Sequence, residues 1–195
     1  EIAWRADGAP DRIRIEAPAT PRPGPGLGAA EAIAAALGIE PGGLHPAWPA
    51  GTWSCGVPFA CIPVASVDIL ARIRVDAGAA QGLAGDWSEQ VYAIAPGSGE
   101  RELRARMFAP ALGIEEDPAT GAAATALAGL LAGLTGPGEH DWCIHQGVEM
   151  GRPARLELAY AATRDDVTRV WLGGRAVVVG EGRIRAPEAD EPGRR

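Results

Sequence analysis

The longest apolar stretch of the chain follows an Asp-Pro pair. Every position from Ala119 to Leu134 is Ala, Gly, Leu or Thr. Asp before Pro is a helix-start signal, because Asp caps the first N–H groups and Pro fits the first helical turn. The pattern therefore predicts a helix over Pro118–Leu134 that begins at Asp117. Since this helix would be apolar on every face, we expect it to be buried on all sides.

Shorter segments predict strands, and Arg12–Glu16, Glu89–Ala95 and Glu102–Phe108 show the two-residue alternation typical of a strand. The segments predicted as strands are Arg12–Glu16, Val57–Val64, Glu89–Ala95, Glu102–Phe108, Asp141–Gln146, Ala154–Tyr160, Val167–Leu172 and Ala176–Val179. Two short helices are predicted over Leu27–Leu37 and Val67–Val75, a turn at Asp7-Gly8, and a disordered polar tail over Glu188–Arg195. Many short strands around one buried helix predict an α+β fold with a barrel-like sheet wrapped around that helix.

Charge and composition exclude several classes of function. The formal net charge is −7 and no basic stripe is visible, which argues against partners such as nucleic acid or an anionic membrane. No apolar run reaches the roughly 18–20 residues needed to span a bilayer. The sequence has no lysine, which excludes a Schiff base, pyridoxal-phosphate attachment and a Walker-type phosphate loop in this chain.

The cysteines predict no disulfide and no metal. Cys55, Cys61 and Cys143 are odd in number and show no CxxC spacing, so neither a disulfide framework nor a zinc site is expected. Free cysteines behave as small apolar residues, and we expect reduced, buried thiols. A cytoplasmic setting, with no cofactor, follows from these features.

The start of the apolar helix is the main candidate for a ligand site. The first N–H groups of a helix have no partner within it, and together with the helix dipole they attract carboxylate or phosphate. Here those groups would belong to Thr120, Gly121 and Ala122, which predicts a site for a small anionic molecule. Asp117 is either a helix start without further function or an acid that contacts the ligand. Glu115 and Glu116 are interpreted as exposed acids that complement the dipole.

Other candidate residues leave alternatives open. His145 is either structural or a proton-transfer residue. Arg152 either clamps a carboxylate or pairs with a surface acid. Cys55 as a nucleophile lacks a His or Asp partner by motif. Gly56 follows it in a loop before a predicted strand, where ligand sites are often lined by backbone.

Two further motifs follow each other along the chain. The first consists of Arg106, Phe108, Pro110, Gly113-Ile114, Glu116-Asp117-Pro118 and Thr120-Gly121, and the second of Gln146-Gly147 and Met150-Gly151-Arg152-Pro153. Their residues and their order resemble the motifs of the phenazine-biosynthesis PhzF-like family. The shorter sequence Gly-Val-Pro-Phe at positions 56–59 also matches. The resemblance covers essentially the whole chain, but only the last two thirds of a typical family member.

The resemblance implies the diaminopimelate-epimerase-like fold, in which two similar domains each wrap a sheet around a central helix and bind substrate between them. Residues 25–175 would be the second domain, residues 1–24 and 176–187 a remnant of the first, and residues 188–195 a tail. The implied activity is that of a cofactor-independent isomerase, which shifts a proton on a small carboxylated, amino-bearing metabolite, with a carboxylate as general base and then general acid.

By the same resemblance, Asp117 is the catalytic-site aspartate that contacts the substrate. Thr120, Gly121, Ala122, Gly147 and Gly56 are then the substrate-binding residues. A homodimer is expected from the same family.

Three departures from the family pattern qualify the expected activity. Ala122 stands where the family has serine. Thr120-Gly121 stands where an epimerase would carry a cysteine, which disfavours racemase chemistry. The first domain's helix and its general acid/base glutamate are not found, so we expect them in a missing N-terminal part that was lost or lies on a sister chain. The alternative hypothesis is a degenerate or truncated member that serves as a metabolite-binding or interaction module.

Overall fold

A computed structural model describes residues 1–4 and 10–183 of the chain. The four α-helices of this part are α1 (Ala30–Leu37), α2 (Val67–Arg72), α3 (Ala77–Gln81) and α4 (Gly121–Thr135). Its strands are β1 (Ile2–Trp4), β2 (Pro10–Glu16), β3 (Arg22–Pro23), β4 (Gly51–Ser54), β5 (Pro58–Pro63), β6 (Val91–Pro96), β7 (Glu102–Ala109), β8 (Ile114–Asp117), β9 (Gly138–Gln146), β10 (Ala154–Ala162) and β11 (Val167–Arg175). The predicted turn at Asp7-Gly8 and the polar tail over Glu188–Arg195 lie outside the described residues.

All of these strands belong to one sheet that curves around α4. Their order is β1-β2-β11-β10-β9-β7-β6-β5-β4-β3, with β8 paired to β7 beside this path. Only the pairs β5–β6 and β7–β9 are parallel among the described strands. Helix α4 contacts β10 and β11 on one side and β3, β4 and β5 on the other. The predicted α+β fold is therefore confirmed, and the sheet is open, with β1 and β3 as its edges.

The middle of the sheet is covered on both faces. In β6, Tyr92 and Ile94 face α4, while Val91, Ala93 and Ala95 face the layer formed by α1, α2 and α3. This alternation follows from the two-residue period of a strand. It explains why all five side chains are buried.

Helix α4 differs from its prediction at the N-terminus. It begins at Gly121, with Thr120 as the N-cap, and Pro118 lies outside it. Asp117 does not cap the helix, because it is the last residue of β8 and pairs with Met107 of β7. Residues 123–131 are buried, as expected, but Gly121 and Ala122 are half-buried.

Two further differences concern strand and helix ends. Residues 176–179 form no strand, so the strand predicted there is wrong. The helix predicted over Val67–Val75 stops at Arg72, because the backbone of Ile73 (φ −53°, ψ 133°) is no longer helical. Within the described residues, no helix has both the length and the apolarity needed to cross a membrane.

Candidate functional site

Strand β7 brings the ends of two other strands together at the start of α4. Its first half pairs with β9, whose last residue Gln146 lies opposite Ala105. Its second half pairs with β8, whose last residue Asp117 lies opposite Met107. Because these two positions on β7 are two residues apart, Gln146 and Asp117 lie on the same face of the sheet, beneath the helix N-terminus.

The buried side-chain amide of Gln146 stabilises this arrangement through hydrogen bonds. Gln146 is fully buried, and its Nε2 donates to the backbone oxygen of Asp117 (2.7 Å) and to Thr120 Oγ1 (2.9 Å). Its Oε1 accepts from the Tyr92 hydroxyl (3.2 Å) and the Thr120 N–H (3.3 Å). All four hydrogen bonds available to the amide are therefore made within the protein. The turn over residues 117–120 is fixed before any ligand binds.

The Tyr92 phenol supports this network as a neutral donor. Its side chain is completely buried, and burial raises the pKa of Tyr92 because the phenolate would lose its hydration. The hydroxyl therefore keeps its proton and donates it to Gln146. The sequence pattern predicts Tyr92 only as a residue of an alternating strand.

The Asp117 carboxylate has one oxygen engaged and one open. Thr120 Oγ1 donates a short, charge-assisted hydrogen bond to Asp117 Oδ2 (2.5 Å). Among the residues that the structure describes, no group donates to Oδ1. The half-buried side chain thus presents one oriented acceptor beside the helix.

The first turn of α4 supplies N–H donors next to this acceptor. Ala124 N–H already bonds to the Thr120 oxygen (3.1 Å), and the Thr120 N–H is occupied by Gln146. The prediction that the Thr120 N–H is free for a ligand is therefore wrong. The N–H groups of Gly121 and Ala122 have no acceptor among the described residues, as helix geometry requires. Both residues are half-buried, so a small anion has access to them.

Two glycines are closely packed around this turn, and at Gly147 the backbone requires glycine. A Cβ on Gly121 would lie 2.7 Å from Leu172 Cδ2, so β11 packs directly against the first residue of the helix. Gly147 has φ +76°, and a Cβ there would lie 2.3 Å from the Arg152 oxygen and 2.8 Å from the Pro118 oxygen. The structure therefore places Gly147 behind the Pro118 turn, where it supports the site wall.

The loop with Cys55 and Gly56 lies farther along α4. The Cys55 thiol donates to the Ala19 oxygen (2.9 Å), and burial raises its pKa, partly opposed by a hydrogen bond with Thr125. Gly56 follows with φ +102° and open space around its Cα. Burial also raises the pKa of the Cys61 thiol to about 12. Neither environment stabilises a thiolate, so the geometry gives no support to a nucleophilic role for Cys55.

A buried ion pair anchors the strand that carries Asp117. Arg106 is 5% exposed, and its Nε and one terminal nitrogen donate to the two carboxylate oxygens of Glu116, both at 2.8 Å. Its other terminal nitrogen donates to the oxygens of Leu70 (3.0 Å) and Ile73 (3.1 Å) at the end of α2. Glu116 is thus not an exposed acid as predicted, and β8 is tied to the helices on the outer face.

The remaining candidates lie away from the helix start. His145 precedes Gln146 on β9, so its side chain points to the opposite face of the sheet, next to Cys143 (Sγ to Nε2, 3.4 Å). Arg152 is exposed in the loop after β9. The structure thus brings Asp117, Gly121 and Ala122 together and separates His145 from them.

Comparison with known proteins gives one consistent result. Residues 2–182 match the family model described as "Phenazine biosynthesis-like protein". The chain is 37% identical to an uncharacterized isomerase of Mesorhizobium japonicum, over 79% of this chain and 54% of that protein. It is 33% identical to a trans-2,3-dihydro-3-hydroxyanthranilate isomerase of Pseudomonas fluorescens, over 81% and 54% of the two chains.

Solved structures show the same fold. A PhzF-family phenazine biosynthesis protein of Bacillus anthracis superposes with a TM-score of 0.77 at 21% identity, over 95% of this chain and 64% of that one. A Pseudomonas aeruginosa protein described as a predicted epimerase gives 0.63 at 26% identity, over 91% and 61%. The chain spans somewhat more than half the length of the relatives that it matches.

Proposed function

The chain belongs to the phenazine biosynthesis-like protein family, and from that membership we propose that it carries one half of the substrate site of a cofactor-independent isomerase. The reaction would shift a proton on a small carboxylated, amino-bearing metabolite. Relatives named as isomerases support the reaction class. The domain division at residues 25–175 is part of the same proposal.

The observation that carries the proposal is the combination of one carboxylate oxygen without a donor and helix N–H groups without an acceptor among the residues that the structure describes. A substrate carboxylate would accept from the N–H groups of Gly121 and Ala122, where the helix dipole also favours negative charge. An amino or hydroxyl group of the same substrate would donate to Asp117 Oδ1. Because Gln146 and Thr120 already fix this turn, binding requires little reorganisation, which favours tight positioning.

Asp117 would then orient the substrate while another carboxylate moves the proton. We place the general acid/base glutamate in a part of the protein outside this sequence, on the same polypeptide or on a sister chain. That glutamate would remove a proton from one substrate carbon and return it to another, so no oxidant or reductant is needed. A homodimer with an anionic small-molecule substrate is the assembly that we propose.

A second candidate function rests on Ala122. The methyl group replaces the family's serine hydroxyl, which removes one contact to the ligand. The second candidate is therefore a module that binds the metabolite or a partner chain and does not catalyse the proton shift.

Ligand binding to the site can be tested with 2-aminobenzoate (anthranilate), a stable carboxylated, amino-bearing ring. We expect its addition to shift the amide NMR signals of Gly121 and Ala122. Asp117→Asn should weaken binding about 10–100-fold, because a hydrogen bond to a charged group contributes about 1.5–3 kcal/mol. Glu115→Gln removes the same charge from an exposed position of β8 and should leave affinity unchanged. Unshifted amides, or equal losses in both variants, would refute the site.

Solvent deuterium separates the two functions. The full-length protein is incubated in D2O with trans-2,3-dihydro-3-hydroxyanthranilate, the compound named for the relatives. An isomerase should incorporate deuterium into the product at carbon, whereas a binding module should return the compound unlabelled. Binding without incorporation would overturn the enzyme proposal and favour the module.

A further inference from the structure

Three potential metal ligands converge on the outer face of the sheet, on the side of β9 opposite the helix. Cys143 and His145 are two residues apart on β9 and share this face. Glu102 of β7 pairs directly with Cys143 in the parallel ladder. The Cys143 Sγ lies 3.4 Å from His145 Nε2, and Nε2 lies 4.0 Å from Glu102 Oε1. All three donor atoms lie within 4.8 Å of one another.

The Glu102 carboxylate is already oriented for such a role. Its Oε2 accepts from the Ser98 hydroxyl (3.0 Å) and the Gly99 N–H (3.2 Å) of the preceding turn. These two bonds leave Oε1 directed at His145. Ligating carboxylates are commonly held by hydrogen bonds of this kind, which fix the ligand before the metal binds.

The spacing can be compared with that of a zinc site. With Zn–S near 2.3 Å and Zn–N and Zn–O near 2.1 Å, tetrahedral angles put sulfur and nitrogen about 3.6 Å apart and nitrogen and oxygen about 3.4 Å apart. The Cys143–His145 pair already matches, and Glu102 Oε1 must approach His145 Nε2 by about 0.6 Å and come within about 3.6 Å of Cys143 Sγ. Since the carboxylate and the imidazole are each 39% exposed, a rotamer adjustment is enough. We propose that Glu102, Cys143 and His145 bind one Zn²⁺.

The fourth position of this zinc site would be open. Cys143 lines a groove of about 600 Å³ on the same face, together with Arg101, Asp141, Arg155 and Glu157. Three protein ligands and one exchangeable position are the arrangement found in zinc sites that bind a water or a further ligand. The ligand class for this position is therefore water or a small anion that enters from the groove.

A guanidinium now occupies part of the space that the metal needs. Arg155 Nε donates to Cys143 Sγ at 3.0 Å, and its NH1 lies 2.9 Å from Glu157 Oε1. The Arg155 side chain is 56% exposed, so it can leave the sulfur and keep its pairing with Glu157. Arg155 thus competes with the metal, and its removal should strengthen zinc binding.

This zinc site is independent of the proposed isomerase site. Gln146 and Ile144 of β9 face the helix, whereas Cys143 and His145 face away from it. No residue is shared between the two sites, so the failure of one proposal does not affect the other.

Cobalt and zinc titrations test the zinc site. Co²⁺ should give a near-ultraviolet band from the thiolate, and calorimetry should show one Zn²⁺ bound with micromolar or tighter affinity. Cys143→Ser should abolish the band. Loss of an outer hydrogen-bond partner typically weakens metal binding about 10–100-fold, and His145→Gln should weaken zinc binding by more than this because it removes a ligand. Arg155→Gln should tighten binding several-fold.

Glu100→Gln provides the matched control for Glu102→Gln, since Glu100 is an exposed acid two residues away. Only the Glu102 variant should lose affinity, while circular dichroism confirms that both variants fold. The proposal is overturned if the cobalt band survives in Cys143→Ser, if the two glutamine variants bind alike, or if zinc binds only in the millimolar range.

Discussion

Two glycines of α4 provide a test of the packing around the central helix. Gly129 is buried against the ring of Trp53 from β4, and a Cβ there would lie 2.1 Å from Cε3 and 2.5 Å from Cζ3. Gly133, one turn later, is exposed and has open space around its Cα. The same substitution, Gly→Ala, should therefore have opposite effects at the two positions.

The magnitudes follow from helix propensity and overpacking. Alanine is more favourable than glycine by about 0.8–1.0 kcal/mol in a helix interior, and both variants gain close to this amount. At Gly129 the added methyl must displace an aromatic ring that packs against the inner core, and such overpacking costs about 1–3 kcal/mol or more. Gly133→Ala should therefore be the more stable variant by about 1–3 kcal/mol or more.

Urea denaturation of both variants and the wild-type chain measures this difference directly. For a chain of this length, each kcal/mol also shifts the melting temperature by about 2–4 °C. In a Trp53→Leu background, Gly129→Ala should lower the free energy of unfolding by less, because the ring that the added methyl group would contact is absent. If Gly129→Ala is as stable as Gly133→Ala, the helix does not pack against Trp53 as described and the reasoning fails.

Three further predictions concern the network behind the site and the buried thiol. Gln146→Ala leaves several buried polar groups without partners and should lower the free energy of unfolding by at least about 3 kcal/mol. Tyr92→Phe should lower it by only about 1 kcal/mol, and equal losses in urea denaturation would contradict this. Glu116→Gln leaves the charge of Arg106 buried and unpaired and should cost about 3–5 kcal/mol, whereas the double variant Arg106→Met/Glu116→Leu should cost less than the sum of its single changes. The folded-state pKa of Cys61 is about 12, above its ordinary value of 9.0, so its stabilising contribution is complete below pH 9 and is lost as the pH rises to 12. Unfolding curves of wild type and Cys61→Ala should therefore converge by up to about 4 kcal/mol over this range, and a constant difference would show that the thiol does not titrate there.

The central helix shows which structural features a local sequence pattern can predict. The uniform run of small apolar residues predicts α4 and its burial, because such a run is stable only inside the protein. Its start is predicted three residues too early, because Asp-Pro resembles a helix cap. The pairing of Asp117 with Met107 decides the outcome, and the nine residues between these positions carry no local signal for it.

How well the sequence predicts a strand depends on the strand's length and on its pairing partners. Alternation over six or more residues predicts β6 and β7 closely, whereas β4, which has four residues, is too short to show a period. The apolar segment Ala176–Val179 has the composition of a strand, but no strand of the described residues pairs with it, and composition alone cannot reveal that.

Some residues of the candidate site can be predicted from the sequence, and others cannot. Asp117, Gly121 and Ala122 follow from the expected properties of one helix end. The role of Gln146 does not follow from any local pattern, because its four hydrogen-bond partners come from β6 and the 117–120 turn and meet only in the folded chain. The ligands of the proposed zinc site also come from two strands, which a rule based on CxxC spacing cannot detect.

The parallel pairing of β7 with β9 has a consequence for how the site forms. The connection between these strands contains α4, around which the sheet later curves. A long loop must therefore close before Gln146 can reach the 117–120 turn, and such non-local closure is slow. The ligand-binding geometry should consequently appear only after this loop has closed, and transient opening of the turn should require the pairing of β7 with β9 to open with it.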